Sequence, residues 1–327
     1  MTLSRGAIGN LVNRYRAVLR KCRMMNVFGS LAVAGMLVAG NAGFAGAEEL
    51  SGDISPISLS GDTRNIIGVG DISLRSTEPA LRYLINVSGQ GQLDISMSNG
   101  SPMAVGNADG IYLKDYSDYD QYASAFHVAG SGSSGSFVGT GTFSMVGGGK
   151  LLGVCAFLSE SKGTLTLSGD ITGEAEAVMN GSNGYASFVA AAAGGNLVFG
   201  GDRTTLRAKA STGNNANGAF VKYGGMIDFA SKSVLIESKN TDSNSVGINC
   251  ADGTVKTSAD TDLDIVVEGN KATTGIQLTA SSSDVQLAGN LDLTATQTGQ
   301  DSFASVLGIS NDSGKMVVSG PTSLRLA

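Results

Sequence analysis

A chain with a single histidine can build a His-dependent nucleophile in one place only, and here that place is His127. The residue sits in Ala125-Phe126-His127-Val128-Ala129, where alternation from Phe126 turns it outward on a strand. Neither a Gly-Asp-Ser-Gly nor a Gly-x-Ser-x-Gly motif supplies a serine for it to activate. No catalytic residue is expected. Of the three cysteines, Cys22 falls in a leader, while Cys155 and Cys250 lie on equivalent strands three repeats apart. At about 4.8 Å per repeat they stand roughly 14 Å apart, beyond the limit of about 7 Å for a disulfide, and read as isolated thiols. Zinc and haem need clustered His or Cys. Neither a metal nor a cofactor is expected.

Lys114-Asp115-Tyr116-Ser117-Asp118-Tyr119-Asp120-Gln121-Tyr122 is the stretch most suited to touching a ligand. Asp115, Asp118 and Asp120 have the ligand type for a weak Ca2+ site, but the Gly and the terminal Glu of an EF-hand loop are missing. The functional reading is a ligand-contacting loop with Asp115, Tyr116, Asp118, Tyr119, Asp120 and Tyr122 as its contacts, and a solvated insertion is the plainer one. Gly147-Gly148-Gly149-Lys150, Gly194-Gly195 and Gly224-Gly225 fall between strands, where turns need positive φ. They match neither the phosphate loop nor the dinucleotide fingerprint.

The elements that must position these residues repeat. Third strands recur at Leu206, Val234, Leu263, Leu291 and Leu324, counted by first apolar residue, with spacings of 28, 29, 28 and 33. Middle strands recur at Asn196-Leu197-Val198-Phe199, Met226-Ile227-Asp228-Phe229, Thr254-Val255-Lys256-Thr257, Asp284-Val285-Gln286-Leu287 and Lys315-Met316-Val317-Val318. First strands are anchored by Phe126, Phe157, Phe188, Phe220, Ile248, Ile276 and Leu307, which gives seven coils from about residue 123. Three short strands per 28 to 30 residues, separated by Gly, Asn, Ser and Asp, predict an all-β chain wound as a parallel β-solenoid. Inward residues such as Ile265 stack into a common core while Asp264 faces water. Residues 48–122 carry a looser form of the pattern, with Ile85 to Phe126 stretched to 41 residues by the insertion, and residues 123–327 the regular form.

Residues 1–47 hold six bases and no acid, then the apolar run Val27 to Ala39, then Ala45-Gly46-Ala47 before Glu48. Basic region, short apolar run and small-residue site make a secretory signal peptide. The apolar run of 13 residues is shorter than the 17 or more needed to span a bilayer. Removing the leader leaves 16 bases against 28 acids, a charge of −12, which repels phosphate backbones. No nucleic-acid partner is expected.

Asn13-Arg14-Tyr15-Arg16-Ala17-Val18-Leu19-Arg20-Lys21 resembles the extended signal-peptide region of large Gram-negative autotransporters, although a Trp is missing and Val12 stands where Met is usual. The resemblance implies an amino-terminal passenger fragment of that family. It also implies a right-handed parallel β-helix with three strands per coil, secreted to the cell surface or outer membrane, and a translocating β-barrel outside this chain. The third strand ending at Leu326 is not followed by a polar cap, in keeping with a fragment.

The function expected is adhesin-like binding of host or bacterial surface ligands through strand faces and corner loops. An alternative is a β-helix polysaccharide lyase or hydrolase, for which the outward acids Glu237, Asp264 and Asp292, stacked on successive third strands, would need Arg or Lys on adjacent coils. A trimeric adhesin head, suggested by Ser243-Asn244-Ser245-Val246-Gly247, would need roughly 14-residue repeats, which the chain lacks. Amino-terminal sequencing of the mature protein should begin at Glu48-Glu49-Leu50. A start more than about five residues away would reject cleavage at Ala47, and an uncleaved chain would reject secretion.

Overall fold

The computed structural model describes residues 47–78, 81–98, 100–107, 122–147, 153–178, 186–211, 215–299 and 305–327. Residues 1–46 of the leader, Ala45 among them, and Asp115, Tyr116, Asp118, Tyr119 and Asp120, lie outside the described residues. Among those described there is no helix. In chain order the strands are β1 (Glu48–Ile54), β2 (Ile57–Ser60) and β3 (Thr63–Ser76), then β4 (Tyr83–Ser88), β5 (Gln92–Met97) and β6 (Pro102–Asn107). Three two-strand coils follow: β7 (Tyr122–Ala129) with β8 (Ser134–Gly147), β9 (Gly153–Glu160) with β10 (Thr164–Ala177), and β11 (Ala186–Ala193) with β12 (Asn196–Ala210). Then come β13 (Asn215–Lys222), β14 (Gly225–Phe229), β15 (Ser233–Asn240), β16 (Ser245–Cys250), β17 (Gly253–Thr257) and β18 (Asp262–Gly269). The last two coils are β19 (Ala272–Leu278), β20 (Ser283–Leu287), β21 (Asn290–Gln297), β22 (Ser305–Asn311), β23 (Lys315–Val318) and β24 (Thr322–Leu326).

These strands wind a right-handed parallel β-solenoid of about eight turns. First strands form a nine-stranded sheet, β2-β4-β7-β9-β11-β13-β16-β19-β22, and second and third strands share a 15-stranded sheet. Every strand pairing in both sheets is parallel. The 41-residue interval is absorbed without breaking the ladder, since Ile85 of β4 still pairs with Phe126 of β7. The boundary of the insertion moves slightly, because Tyr122 already belongs to β7.

In β8, β10 and β12 the second and third strands run on as one strand of 14 or 15 residues. The bend within each falls at Gly139, Gly169 and Gly201, with φ of 137°, 119° and 93°. These glycines stack, and a Cβ on Gly169 would strike the Gly139 carbonyl. Only glycine fits both the φ and the space.

Third-strand register matches the count of first apolar residues at Val234, Leu263 and Leu291, which are mutual partners, and departs from it at Leu206 and Leu324. Leu206, Ile236, Ile265, Leu293 and Leu324 are mutual partners, so the true spacings are 30, 29, 28 and 31. Leu206 does not pair with Val234, whose partner is Thr204. The first strands hold a larger correction. From β4 onward each skips a residue in its pairing, as at Ala156 between the pairs Cys155↔Phe188 and Phe157↔Ala190. Both Ala156 and Phe157 are buried in the main core, so two consecutive residues point inward and alternation breaks. The inward column is Ile85, Phe126, Phe157, Ala190, Ala219, Ile248, Ile276 and Ile309. Phe188, Phe220 and Leu307 belong to outward columns instead.

The extra inward position exchanges size with the third strand. It is Gly218, Gly247 and Gly275 in coils whose third strand brings Ile236, Ile265 and Leu293 inward, and a Cβ on each glycine would strike that side chain. One region reverses the arrangement: Gly173 lies on the third strand, under Phe157 and Val189. A near-continuous run of rings fills the wider part of the core, with Phe143–Phe157, Phe157–Phe199 and Phe199–Phe229 centroids at 5.1, 5.5 and 5.4 Å.

Gly275→Ala should destabilise by about 1 to 3 kcal/mol through overpacking. Combined with Leu293→Ala, the loss should fall short of the sum of the two single losses by more than about 0.5 kcal/mol. Additive losses in denaturant melts would contradict the size exchange.

Candidate functional site

The outward side of the nine-stranded sheet carries two columns. One is Tyr83, Ser124, Cys155, Phe188, Asn217, Val246, Thr274 and Leu307, and the other is Asn86, His127, Leu158, Ala191, Phe220, Asn249, Gln277 and Ser310. Much of this outward side is buried: Tyr122, Cys155, Leu158, Ala186, Phe188 and Ala191 form a second apolar cluster, with Tyr83 and Phe220 packed on it. Phe188 and Phe220 stack with centroids 4.5 Å apart. Tyr122, expected in a ligand-contacting loop, is instead only 5% exposed. Its ring meets Phe188 edge-on at 6.0 Å, and its carbonyl accepts hydrogen bonds from Arg82 Nε (3.2 Å) and Nη2 (3.0 Å).

His127 does point away from the main core, but it is not open to solvent, being 5% exposed. Its ring stacks on Tyr83 at 4.0 Å, Nδ1 faces Asn86 Oδ1 at 2.8 Å and Nε2 faces Glu160 Oε2 at 3.0 Å. Asn86 lies on the coil before and Glu160 on the coil after. With each ring nitrogen engaged by an acceptor, the imidazole works as a clip across three coils. Both described cysteines are free and buried. Burial, then the nearby Glu160, pushes the Cys155 thiol well up, and burial pushes Cys250 up. A thiol so shifted is a poor nucleophile at neutral pH.

Beside this face runs the corner joining first to second strands. The non-glycine residues with positive φ, among those described, all lie on it: Gln90 (70°), Ser161 (51°), Lys162 (69°) and Tyr223 (57°). Backbone bonds tie successive corners together, Lys162 N–H to the Gly194 carbonyl at 2.6 Å and Gly194 N–H to the Lys222 carbonyl at 2.9 Å. Tyr223 is 71% exposed. The Lys222 ammonium sits 4.5 Å over the Tyr223 ring, 4.9 Å over Tyr122 and 5.7 Å over Phe220, a cation–π arrangement. Neither Lys162 nor the Lys222-Tyr223 pair is among the residues expected from sequence to touch a ligand. The signal was available, because Lys222-Tyr223-Gly224-Gly225 puts an aromatic where the neighbouring repeat has the glycine pair Gly194-Gly195.

The third-strand face carries charge. Asp264 and Asp292 are partners in register, but Glu237 pairs with Val266, so the expected three-acid stack is two acids with Glu237 in the next column. That column runs Glu174, Arg207, Glu237, and Arg207 reaches Glu237 at 2.6 Å and Glu174 at 3.4 Å. Further cross-coil pairs are Lys239–Glu268 and Lys256–Asp228, at 2.6 and 2.8 Å. Asp262, Asp264, Asn290, Asp292, Thr322 and Ser323 line a cleft of about 420 Å³. Asn290 donates to Asp262 at 2.6 Å, and Arg325 pairs with Asp292 at 3.4 Å. Partial burial, then Asp292 and Asp262, push the Asp264 carboxyl up from its ordinary value.

An acid raised in the folded state holds its proton more tightly there than in the unfolded chain. Its ionised form therefore opposes folding at neutral pH, and that opposition is relieved as pH falls through the raised value. Asp264→Asn should accordingly raise the thermal midpoint slightly at pH 7, with the gain shrinking toward pH 4. A difference that stays constant from pH 7 to 3.5 would contradict the coupling of Asp264 to Asp292 and Asp262.

Compared with protein-family models, curated proteins and solved structures, the chain finds no match in any of the three.

Proposed function

We propose that the chain is an autotransporter passenger segment, secreted to the cell surface or outer membrane, that binds host or bacterial surfaces as an adhesin-like rod. The observation carrying this reading is the placement of side chains on a stacked scaffold. The interior is apolar and filled, while one corner brings basic and aromatic groups outward on strained backbone. Strain held at exposed positions concentrates at binding sites, and loops at solenoid corners are where such folds build contact surfaces. The leader, with its resemblance to the extended autotransporter signal, supplies the expected route to the surface.

A second reading, a polysaccharide lyase or hydrolase, draws on the Glu174–Arg207–Glu237 column, which has the base between acids on adjacent coils that such chemistry uses. The two separate cleanly. Beads coated with the chain should adhere to cultured epithelial or bacterial cells several-fold above beads coated with serum albumin, with no turnover of acidic polysaccharide. Adhesion at the control level would reject the adhesin reading, and turnover lost in Arg207→Met would establish the enzymatic one.

A further inference from the structure

We propose that the corner formed by Lys162, Gly194, Lys222 and Tyr223 is a subsite for a carboxylate-bearing sugar of an acidic polysaccharide. The inference rests on the chain being a binding protein and names the ligand class. Three successive corners contribute, β9 to β10, β11 to β12 and β13 to β14, linked by the Lys162–Gly194 and Gly194–Lys222 backbone bonds. At about 4.8 Å per coil, Lys162 and Tyr223 stand roughly 10 Å apart along the axis. Gly194 between them, at φ 72°, carries no side chain, and its corner packs directly against that of Tyr223.

Each side of Gly194 presents a group of the kind that holds a sugar acid. Tyr223 exposes its ring on left-handed backbone, where glycine would be unstrained. Seven other described bases are paired to acids, namely Arg64, Arg203, Arg207, Lys232, Lys239, Lys256 and Arg325. Lys162 and Lys222 have no ion pair among the described residues, as is also true of Arg75, Lys209, Lys271 and Lys315, so what sets these two apart is their place on the corners beside Tyr223. Of the carboxylates beside these corners, Glu160 is held by His127 of the preceding coil, on the side away from Lys222, and Asp252 stands on the corner that follows Tyr223. Two bases without ion pairs beside an exposed ring match a ligand with an apolar ring face and a carboxylate. A peptide recognised by strand addition would need open backbone groups. These corners have spent theirs, since Gly224 N–H also bonds the Asp252 carbonyl at 3.1 Å.

Titration calorimetry of the full chain with tetragalacturonate, its carboxyl-reduced counterpart and a polyglutamate peptide tests the proposal. Tetragalacturonate should bind, with affinity falling as salt rises. Tyr223→Gly relaxes the backbone, so it should melt no lower than the parent and yet lose at least ten-fold in affinity, while Tyr223→Phe stays within about two-fold. Lys162→Gln and Lys222→Gln should each weaken binding several-fold and flatten the salt dependence. Absence of binding by the parent at millimolar sugar overturns the proposal. So does full affinity in Tyr223→Gly, or equal affinity for the reduced sugar or the peptide. Should Tyr223→Gly beads adhere to cells as well as the parent while tetragalacturonate binding fails, this subsite falls and the adhesin reading stands.

Discussion

Hydrogen bonding between coils is the constraint on which everything else in this molecule depends. A strand in a single coil has no partner within that coil, so its backbone N–H and C=O groups are satisfied only by the coils on either side. The corners obey the same rule, as the chain of bonds from Lys162 through Gly194 to Lys222 shows. Because pairing is parallel throughout, each residue sits over its equivalent in the next repeat, and any side chain is repeated, complemented or opposed at about 4.8 Å.

That stacking explains both surfaces of the solenoid. Inside, volume must balance within each coil, so glycine on the first strand goes with Ile236, Ile265 or Leu293 on the third, and Gly173 on the third goes with Phe157 and Val189 on the first. Outside, charges meet charges of the next coil. Arg207 between Glu174 and Glu237 is an attractive case, and Asp264 over Asp292 a repulsive one. Such exposed pairs contribute little to stability individually. They are better understood as fixing which residue lies over which.

Much of this was legible in the sequence. The middle strands register as the repeat indicates, Leu197 on Ile227 and Ile227 on Val255, and Ile265 is fully buried beside exposed Asp264. Strict alternation is the reason, because a period of two reports which side faces the core. The first strands were misread where that reason fails. Two consecutive inward residues shift everything before them to the other face, so Phe188 could not be told from an inward anchor by its spacing of 31 from Phe157. Alternation puts Glu237 and Asp264 both outward, but Glu237 lies three residues after Val234 and Asp264 one after its partner Leu263, so they fall in neighbouring columns. His127 was read outward, and its engagement by Asn86 and Glu160 depends on two other coils, which one strand's pattern does not reveal.

The proposed binding corner follows from the same stacking, because only aligned turns bring Lys162, Gly194 and Tyr223 into one line. Everything else rests on register, which can be measured without reference to any ligand. Cysteines replacing Asp264 and Asp292 should sit on directly opposed positions, within the Cα range of about 4.4 to 6.8 Å that a disulfide accepts. Replacing Glu237 and Asp264 puts the thiols two residues out of register. Under mild oxidation the first pair should form an intramolecular disulfide and the second should not. Ready closure of the Glu237 and Asp264 pair, with the Asp264 and Asp292 pair left reduced, would contradict the account.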